Sequence, residues 1–236
     1  MSGLKMPESK SVEVNLLDTQ LKACRLCLQA GYQITPGAVF SHPRASEVML
    51  IGQAPGITEV EAQRPFNAGS GRRLFQWLEG AGWQEDDFRS RYVMTAVTTC
   101  YPGRGSNGKG DRVPTKTEQQ LCRPFLEREL AIYQPRLIIP VGGLAIKLFY
   151  KASLRLKEII GTAVYVSHED LNNPFAAAKK GKRVSQFDPV LPQEGRWLVP
   201  LPHPSGASLW PNKAENKAMI DRAAAILGQI RESWKL

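Results

Sequence analysis

Val48-Met49-Leu50-Ile51-Gly52-Gln53-Ala54-Pro55-Gly56 is the segment from which the architecture is read. Four consecutive apolar residues, Val48 to Ile51, predict a short strand buried on both faces. Gly52 stops the strand, and Pro55-Gly56 turns the chain tightly. A buried strand ending in such a turn delivers loop residues to the carboxyl edge of a sheet, where open α/β folds hold their ligands. Gln53 and the backbone amides of the turn are therefore expected to face a crevice. An ordinary strand-to-loop turn is the competing reading.

Outward from this strand, the pattern alternates. Glu47–Gly52, Tyr92–Thr99, Leu137–Val141 and Trp197–Pro202 read as strands, and Glu158–Ser167 as a further extended segment. Leu16–Gln29 has helical apolar spacing. A helix opened by Gly69-Ser70-Gly71, with Ser70 as its N-cap, carries Leu74, Phe75 and Leu78 on one side. Thr115-Lys116-Thr117-Glu118 is a capping-box pattern that opens a helix through Cys122 and Leu130. An amphipathic helix from Asn212 or Lys213 to Trp234 closes the chain. Strands alternating with helices predict the α/β class with a mostly parallel sheet. Residues 1–15 are expected to form a flexible arm, and residues 16–236 a single domain. Within it, 172–187, which holds Lys179, Lys180, Lys182 and Arg183, reads as a basic insertion whose plain reading is a solvated loop. No internal repeat or second domain is found.

The 236 residues fit one large domain, and 42% hydrophobic with 22% charged residues is ordinary for a globular protein. No apolar run approaches the roughly 20 residues that span a bilayer. The polar start, Met1 to Asn15, has no apolar core of a signal peptide, so a cytoplasmic location is expected, of prokaryotic type and nucleoid-associated. The net charge of +9 favours a polyanionic partner, most often nucleic acid. Of four cysteines, Cys24 and Cys27 form a Cys-x-x-Cys pair, and Cys100 and Cys122 follow far downstream. In a reducing compartment disulfides are disfavoured, and four thiolates suit either a tetrahedral zinc or an iron–sulfur cluster. Buried, idle cysteines are the alternative.

Two strand ends carry candidate chemistry, at Gln53 and at His203. If both strands are central and parallel, both residues emerge at one edge. His203-Pro204-Ser205-Gly206 places a proton donor on a stiff turn whose small residues and amides suit close approach to a phosphate backbone. Histidine also stabilises a departing anion by hydrogen bonding. Phe66, in the polar loop after the Gln53 turn, suits stacking on a planar base, and Asn67 beside it offers a hydrogen bond. Core packing and turn closure are their plain readings. His42 and His168 lack a comparable setting and are given no role. Tyr101 to Pro114 reads as a flexible, glycine-rich, basic-leaning loop.

Taken together, Cys24-Arg25-Leu26-Cys27, Gly52-Gln53-Ala54-Pro55-Gly56, Arg64-Pro65-Phe66, Cys100, Pro114-Thr115 with Glu118, Cys122-Arg123-Pro124-Phe125 and His203-Pro204-Ser205 resemble the uracil-DNA glycosylase superfamily. The resemblance is strongest to its iron–sulfur branch, the fourth family, with features of the fifth, and covers roughly Leu21 to the C-terminus. It implies a three-layer α/β/α sandwich with a central, mostly parallel four-stranded sheet. It implies a [4Fe–4S] cluster on Cys24, Cys27, Cys100 and Cys122. It also implies a monofunctional enzyme that flips uracil, or another deaminated base, out of single- or double-stranded DNA and hydrolyses the N-glycosidic bond. No membrane and no obligate protein partner are implied. By the same resemblance Gln53 and His203 are catalytic, while Gly52, Ala54, Pro55, Gly56, Phe66, Asn67 and Ala96 line the base pocket. Pro204, Ser205, Gly206 and Ser208 press the strand, with Leu209 or Trp210 as the wedge that fills the emptied stack.

The chain departs from that pattern at three places. Gln53 stands where the fourth family usually has Glu, and an amide is no general base. Glu59 and Glu61 are the nearest carboxylates in sequence. Ala96 stands where an Asn usually reads uracil's edge, and Asn67 or Asn107 are possible substitutes. The loop after Cys100 is long and rich in glycine. Two rivals follow: a superfamily member that binds DNA or abasic sites with little catalysis, and a zinc-stapled α/β protein that binds nucleotides or RNA.

Overall fold

The fold was analysed on a computed structural model, which describes residues 8–105, 110–171, 173–206 and 208–236. Its elements in chain order are α1 (Glu8–Ala23), α2 (Leu26–Gln29), β1 (Val48–Gly52), α3 (Ile57–Ala62), α4 (Gly69–Glu79), α5 (Glu85–Arg91), β2 (Val93–Ala96), α6 (Lys116–Tyr133), β3 (Leu137–Pro140), α7 (Gly143–Phe149), α8 (Leu156–Ile159), β4 (Ala163–Val166), α9 (Pro174–Lys180), β5 (Lys182–Val184), β6 (Arg196–Leu198) and α10 (Ala214–Trp234). The strands form one sheet in the order β2-β1-β3-β6-β4-β5. β2, β1, β3 and β6 run parallel, whereas β4 is antiparallel to β6 and β5 to β4.

All five residues of β1 are buried, as an apolar run without alternation requires. Met49 and Ile51 face a core built with Leu17 and Leu21 of α1, Leu126 and Leu130 of α6 and Ile146 of α7. Val48 and Leu50 face the opposite core, with Leu74 and Leu78 of α4, Phe88 of α5 and Leu227 of α10. The sheet is thus the middle layer of an α/β/α sandwich. Backbone pairing runs past the strand ends. Val97 and Thr98 N–H donate to the Gly52 and Gln53 carbonyls, and Gly142 N–H to the Leu201 carbonyl. That fixes the carboxyl edge of the sheet as a rigid platform.

Four expectations change. The sheet has six strands, not four, because the segment from Glu158 and the basic insertion supply β4 and β5 at one edge. The insertion is therefore not all loop: it makes α9 and a short, largely exposed edge strand. Part of the expected flexible arm, from Glu8 onward, is helix instead, since α1 starts at Glu8 and buries Val14 and Leu17. Residues 1–7 and Asn107 lie outside the described residues. The N-cap of α4 is Ala68 rather than Ser70. The capping box of α6 forms as expected: Thr115 Oγ1 accepts from Glu118 N–H, and the Glu118 carboxylate accepts from Thr115 N–H.

Candidate active site at the carboxyl edge of the sheet

Gly52, Gln53, Ala54, Pro55, Gly56, Phe66, Ala96, His203, Pro204 and Ser205 all line one cavity of about 460 Å³ at this edge. The parallel register explains why residues so far apart in sequence converge: Gly52 pairs with Ala96 across β1 and β2, and Val141 bridges Leu201 just before His203. Asn67 is not among the lining residues; its side-chain amide reaches the Thr58 carbonyl at 3.4 Å. Gly206, Ser208, Leu209 and Trp210 lie beyond the cavity wall. Leu209 is 73% exposed. Trp210 packs partly against the core and accepts from Asn216 Nδ2 at its carbonyl.

Phe66 is held by several independent constraints. Its backbone sits in the left-handed region at φ 50°. Its N–H donates to Glu59 Oε1, whose other oxygen takes the Gly56 N–H at 2.6 Å. The Arg89 guanidinium donates to the Pro65 and Phe66 carbonyls at 2.7 and 2.8 Å. A methyl on Gly71 would stand 1.8 Å from the Phe66 carbonyl oxygen, and one on Gly52 would stand 2.9 Å from the ring. Only glycine at both positions lets the ring lie across the floor of the cavity. Glu59 has both oxygens committed to backbone N–H groups, and burial raises its pKa. It is a clamp for the loop rather than a group free to take a proton.

His203 is set up as a neutral donor. Ser205 N–H donates to its Nδ1 at 3.2 Å, which assigns the ring proton to Nε2. Burial lowers its pKa, so the uncharged form dominates at neutral pH. The ring packs against Gly142, where a methyl would meet Cδ2 at 2.9 Å and where φ is 84°.

The second carboxylate lining the cavity is Asp111. Sequence reading passed over it because its loop looked flexible. In the structure that loop doubles back: Arg104 bridges Asp111, Gly105 N–H donates to the Gly110 carbonyl, and Arg112 N–H to the Gly103 carbonyl. Arg112 clamps the base of the loop by a two-pronged pair with Glu118, at 2.7 Å for each contact. Asp111 Oδ1 accepts from the Tyr101 hydroxyl at 2.9 Å, and Oδ2 would lie 3.1 Å from a methyl on Gly56. The carboxylate therefore stands over the Gln53 turn. The available signal was an Asp just before the capping box, but its placement depends on non-local pairing.

Behind the cavity wall lies a buried ionic chain. Thr95 Oγ1 donates to Glu129 Oε1 at 3.0 Å, His42 Nε2 meets the same oxygen at 3.1 Å, and His42 Nδ1 meets Asp18 at 2.5 Å. The two carboxylates outweigh desolvation and push His42 up to about 9. This histidine, given no role from sequence, ties α1 and α6 to β2.

Cys24, Cys27, Cys100 and Cys122 together line a second, small cavity, with Thr98, Thr99, Ile34 and Leu121. Cys24 and Cys27 bracket the start of α2, Cys100 follows β2, and Cys122 sits on α6. All four are free thiols. Burial pushes Cys100 up to about 11 and Cys122 up to about 12, and neighbouring cysteines add to the shift. Among the described residues no group of three or more His, Cys, Asp or Glu side chains is gathered to hold a metal ion as it stands. The four cysteines line the cavity without being drawn together around one point, and sulfur is the donor type they bring to it.

The comparisons with known proteins agree with this geometry. The family model described as the uracil DNA glycosylase superfamily matches residues 39–228. A type-4 uracil-DNA glycosylase of Pyrobaculum aerophilum is 32% identical over 114 residues, 48% of this chain and 53% of the relative. One of Sulfurisphaera tokodaii is 31% identical over 121 residues, 51% and 49% of the two chains. One of Saccharolobus solfataricus is 26% identical over 150 residues, 62% and 63% of the two chains. The chain spans about half the length of the first of these relatives.

Proposed function

Because the chain belongs to the uracil DNA glycosylase superfamily, we propose that it releases uracil from DNA by hydrolysing the N-glycosidic bond. The observation that carries this reading is the neutral His203, fixed by Ser205 and Gly142 as an Nε2–H donor in the same cavity as Phe66 and Gln53. A base turned out of the duplex stacks on Phe66, and the His203 donor meets the oxygen on which negative charge develops. The C1′–N bond breaks with its electron pair leaving on the base, and water forms the new C1′–O bond. Gln53 orients that water without accepting its proton. Asp111 takes the proton and faces the cation-like sugar, which answers the missing family glutamate. The Pro204-Ser205-Gly206 turn and Ser208 press the phosphate backbone, and exposed Leu209 suits the wedge better than the anchored Trp210. Ala96 leaves the base edge unread, so hypoxanthine and xanthine are candidate substrates beside uracil. Residues 16–236 act as one domain in this reading, on DNA in the cytoplasm; no described helix is long and apolar enough to cross a membrane.

The cysteine ring fits an iron–sulfur cluster: all four thiols meet at one cavity that no disulfide closes, and the buried thiols need a cationic group to become thiolates. Cys24, Cys27, Cys100 and Cys122 would hold it, and when bound it would cross-link α1, α2, β2 and α6 as a structural staple. The test is base release from matched oligonucleotides carrying one uracil, hypoxanthine or xanthine, single-stranded and paired. Release of uracil by wild type, slowed by about a hundredfold in Asp111→Asn with DNA binding kept, is the expected result. Tight binding with no release from any oligonucleotide would leave the DNA-binding, non-catalytic reading instead.

A further inference from the structure

A larger cavity, of about 790 Å³, opens at the opposite edge of the sheet, away from the base pocket. It lies at the amino ends of β3 and β6, between α6 and the segment that leads into α9. Arg136, His168, Glu127, Glu169, Glu194 and Arg196 line it, with Leu130, Pro135, Leu171 and Phe175 supplying apolar wall. Arg196 is the anomaly. The residue is 4% exposed, and its Nε donates to the Pro135 carbonyl at 2.6 Å. Among the described residues its Nη1 has no hydrogen-bond partner, and no carboxylate pairs with the guanidinium. Burial without a counter-charge lowers its pKa to about 10. An uncompensated buried charge is costly, and folding alone gives no reason to keep one. The unpaired charges left in the cavity are carboxylates. Arg136 is committed to Glu47 and Glu127 to Arg123, whereas Glu169 and Glu194 are exposed at the rim.

We infer that this cavity binds a small amphoteric ligand, with a carboxylate seated on the Arg196 guanidinium and a primary ammonium group set against Glu169 and Glu194. A nucleic-acid phosphate is a poor match, because the two rim glutamates repel it. The inference rests on this cavity alone and is independent of the glycosylase reading.

The test uses the whole protein and thermal unfolding, with L-lysine and 6-aminohexanoate as amphoteric probes and acetate and butylamine as half-probes. Ligands that bind only the folded state raise the midpoint with concentration, by about 5 °C at roughly a hundred times Kd. The amphoteric probes are expected to do this at millimolar concentration and the half-probes to do much less. Arg196→Leu should abolish the shift while the unliganded midpoint stays close to that of wild type, since relief of the unpaired buried charge offsets the lost hydrogen bond to the Pro135 carbonyl. The exposed double variant Glu169→Gln/Glu194→Gln should weaken the response to the amphoteric probes at least tenfold without disturbing the fold. No shift in wild type up to 50 mM probe (about the limit for weak sites by affinity arithmetic), equal shifts in wild type and variants, or marked destabilisation by Arg196→Leu would each overturn the inference.

Discussion

At the residue scale, the site depends on positions that contribute no functional group. Gly142 touches neither base nor sugar in the proposed reaction, yet its φ of 84° and its lack of a side chain, where a methyl would stand 2.9 Å from His203 Cδ2, let the donor sit in place. Gly142→Ala is expected to slow base release by at least about tenfold, because a misplaced donor loses most of its effect on the transition state. DNA affinity should stay within about twofold, since the phosphate contacts that dominate it are elsewhere. Equal loss of binding and release would mean that the glycine merely supports the fold. That Gln53 and His203 meet at one cavity was legible because each follows a strand end with a local Gly or Pro signature, and Phe66 because it is an aromatic in a polar, Pro-containing loop. Asp111, Gly142 and the clamping role of Glu59 were not. Each depends on what folds against it from a distant segment, and no local pattern encodes that partner.

At the element scale, the His42 chain is the main polar link between layers. His42 is fully buried at the side chain and bridges Asp18 of α1 to Glu129 of α6. Its folded pKa of about 9 lies above the ordinary value of 6.5, so the folded state holds the proton more tightly. The stability it contributes is complete below about pH 6.5 and is lost as pH rises through about 9. His203 has the opposite sign: burial lowers its pKa, so the stability linked to it is present above about pH 6.5 and declines as pH falls. Unfolding midpoints in urea should therefore fall for wild type between pH 7 and about pH 8.5, below the range where the raised thiols contribute, and be nearly flat over that window in His42→Gln. That variant should also lose about 3 kcal/mol at neutral pH, because the buried Glu129 carboxylate loses its cationic partner while Asp18 keeps some contact with water. A parallel pH slope in wild type and variant would contradict the assignment. The central strands, α6 and α10 were readable from apolar runs, the capping box and helical spacing. The early start of α1 and the edge strand β5 were not, because polar, charged residues form them and only tertiary pairing holds them.

At the scale of the whole molecule, the cysteine ring joins the N-terminal helices to the segment after β2 and to α6. Cys24 and Cys27 precede the sheet, and Cys100 and Cys122 flank the loop that carries Asp111. An all-cysteine iron–sulfur site predicts brown protein with absorbance near about 400 nm when purified without oxygen. Cys122→Ser should bleach that absorbance and lower the unfolding midpoint, and should slow base release through the Asp111 loop. A colourless wild type holding one zinc per chain would replace the cluster with a zinc staple. The net charge of +9 adds a second global expectation, that DNA affinity falls steeply with salt. Composition and cysteine count raise the expectation of a polyanion partner and of a metal staple, and the brown colour and the salt dependence test them. The choice of metal, and the pairing of the insertion into the sheet, lay beyond what spacing encodes.

The central claim is that a neutral His203, held as an Nε2–H donor, drives departure of the base. The measurement that reaches it most directly is the single-turnover rate of uracil release at saturating protein, wild type against His203→Ala, with DNA binding read on the same samples. The account predicts a loss of about a hundredfold to a thousandfold in rate with affinity nearly unchanged. Release by His203→Ala at the wild-type rate would contradict it.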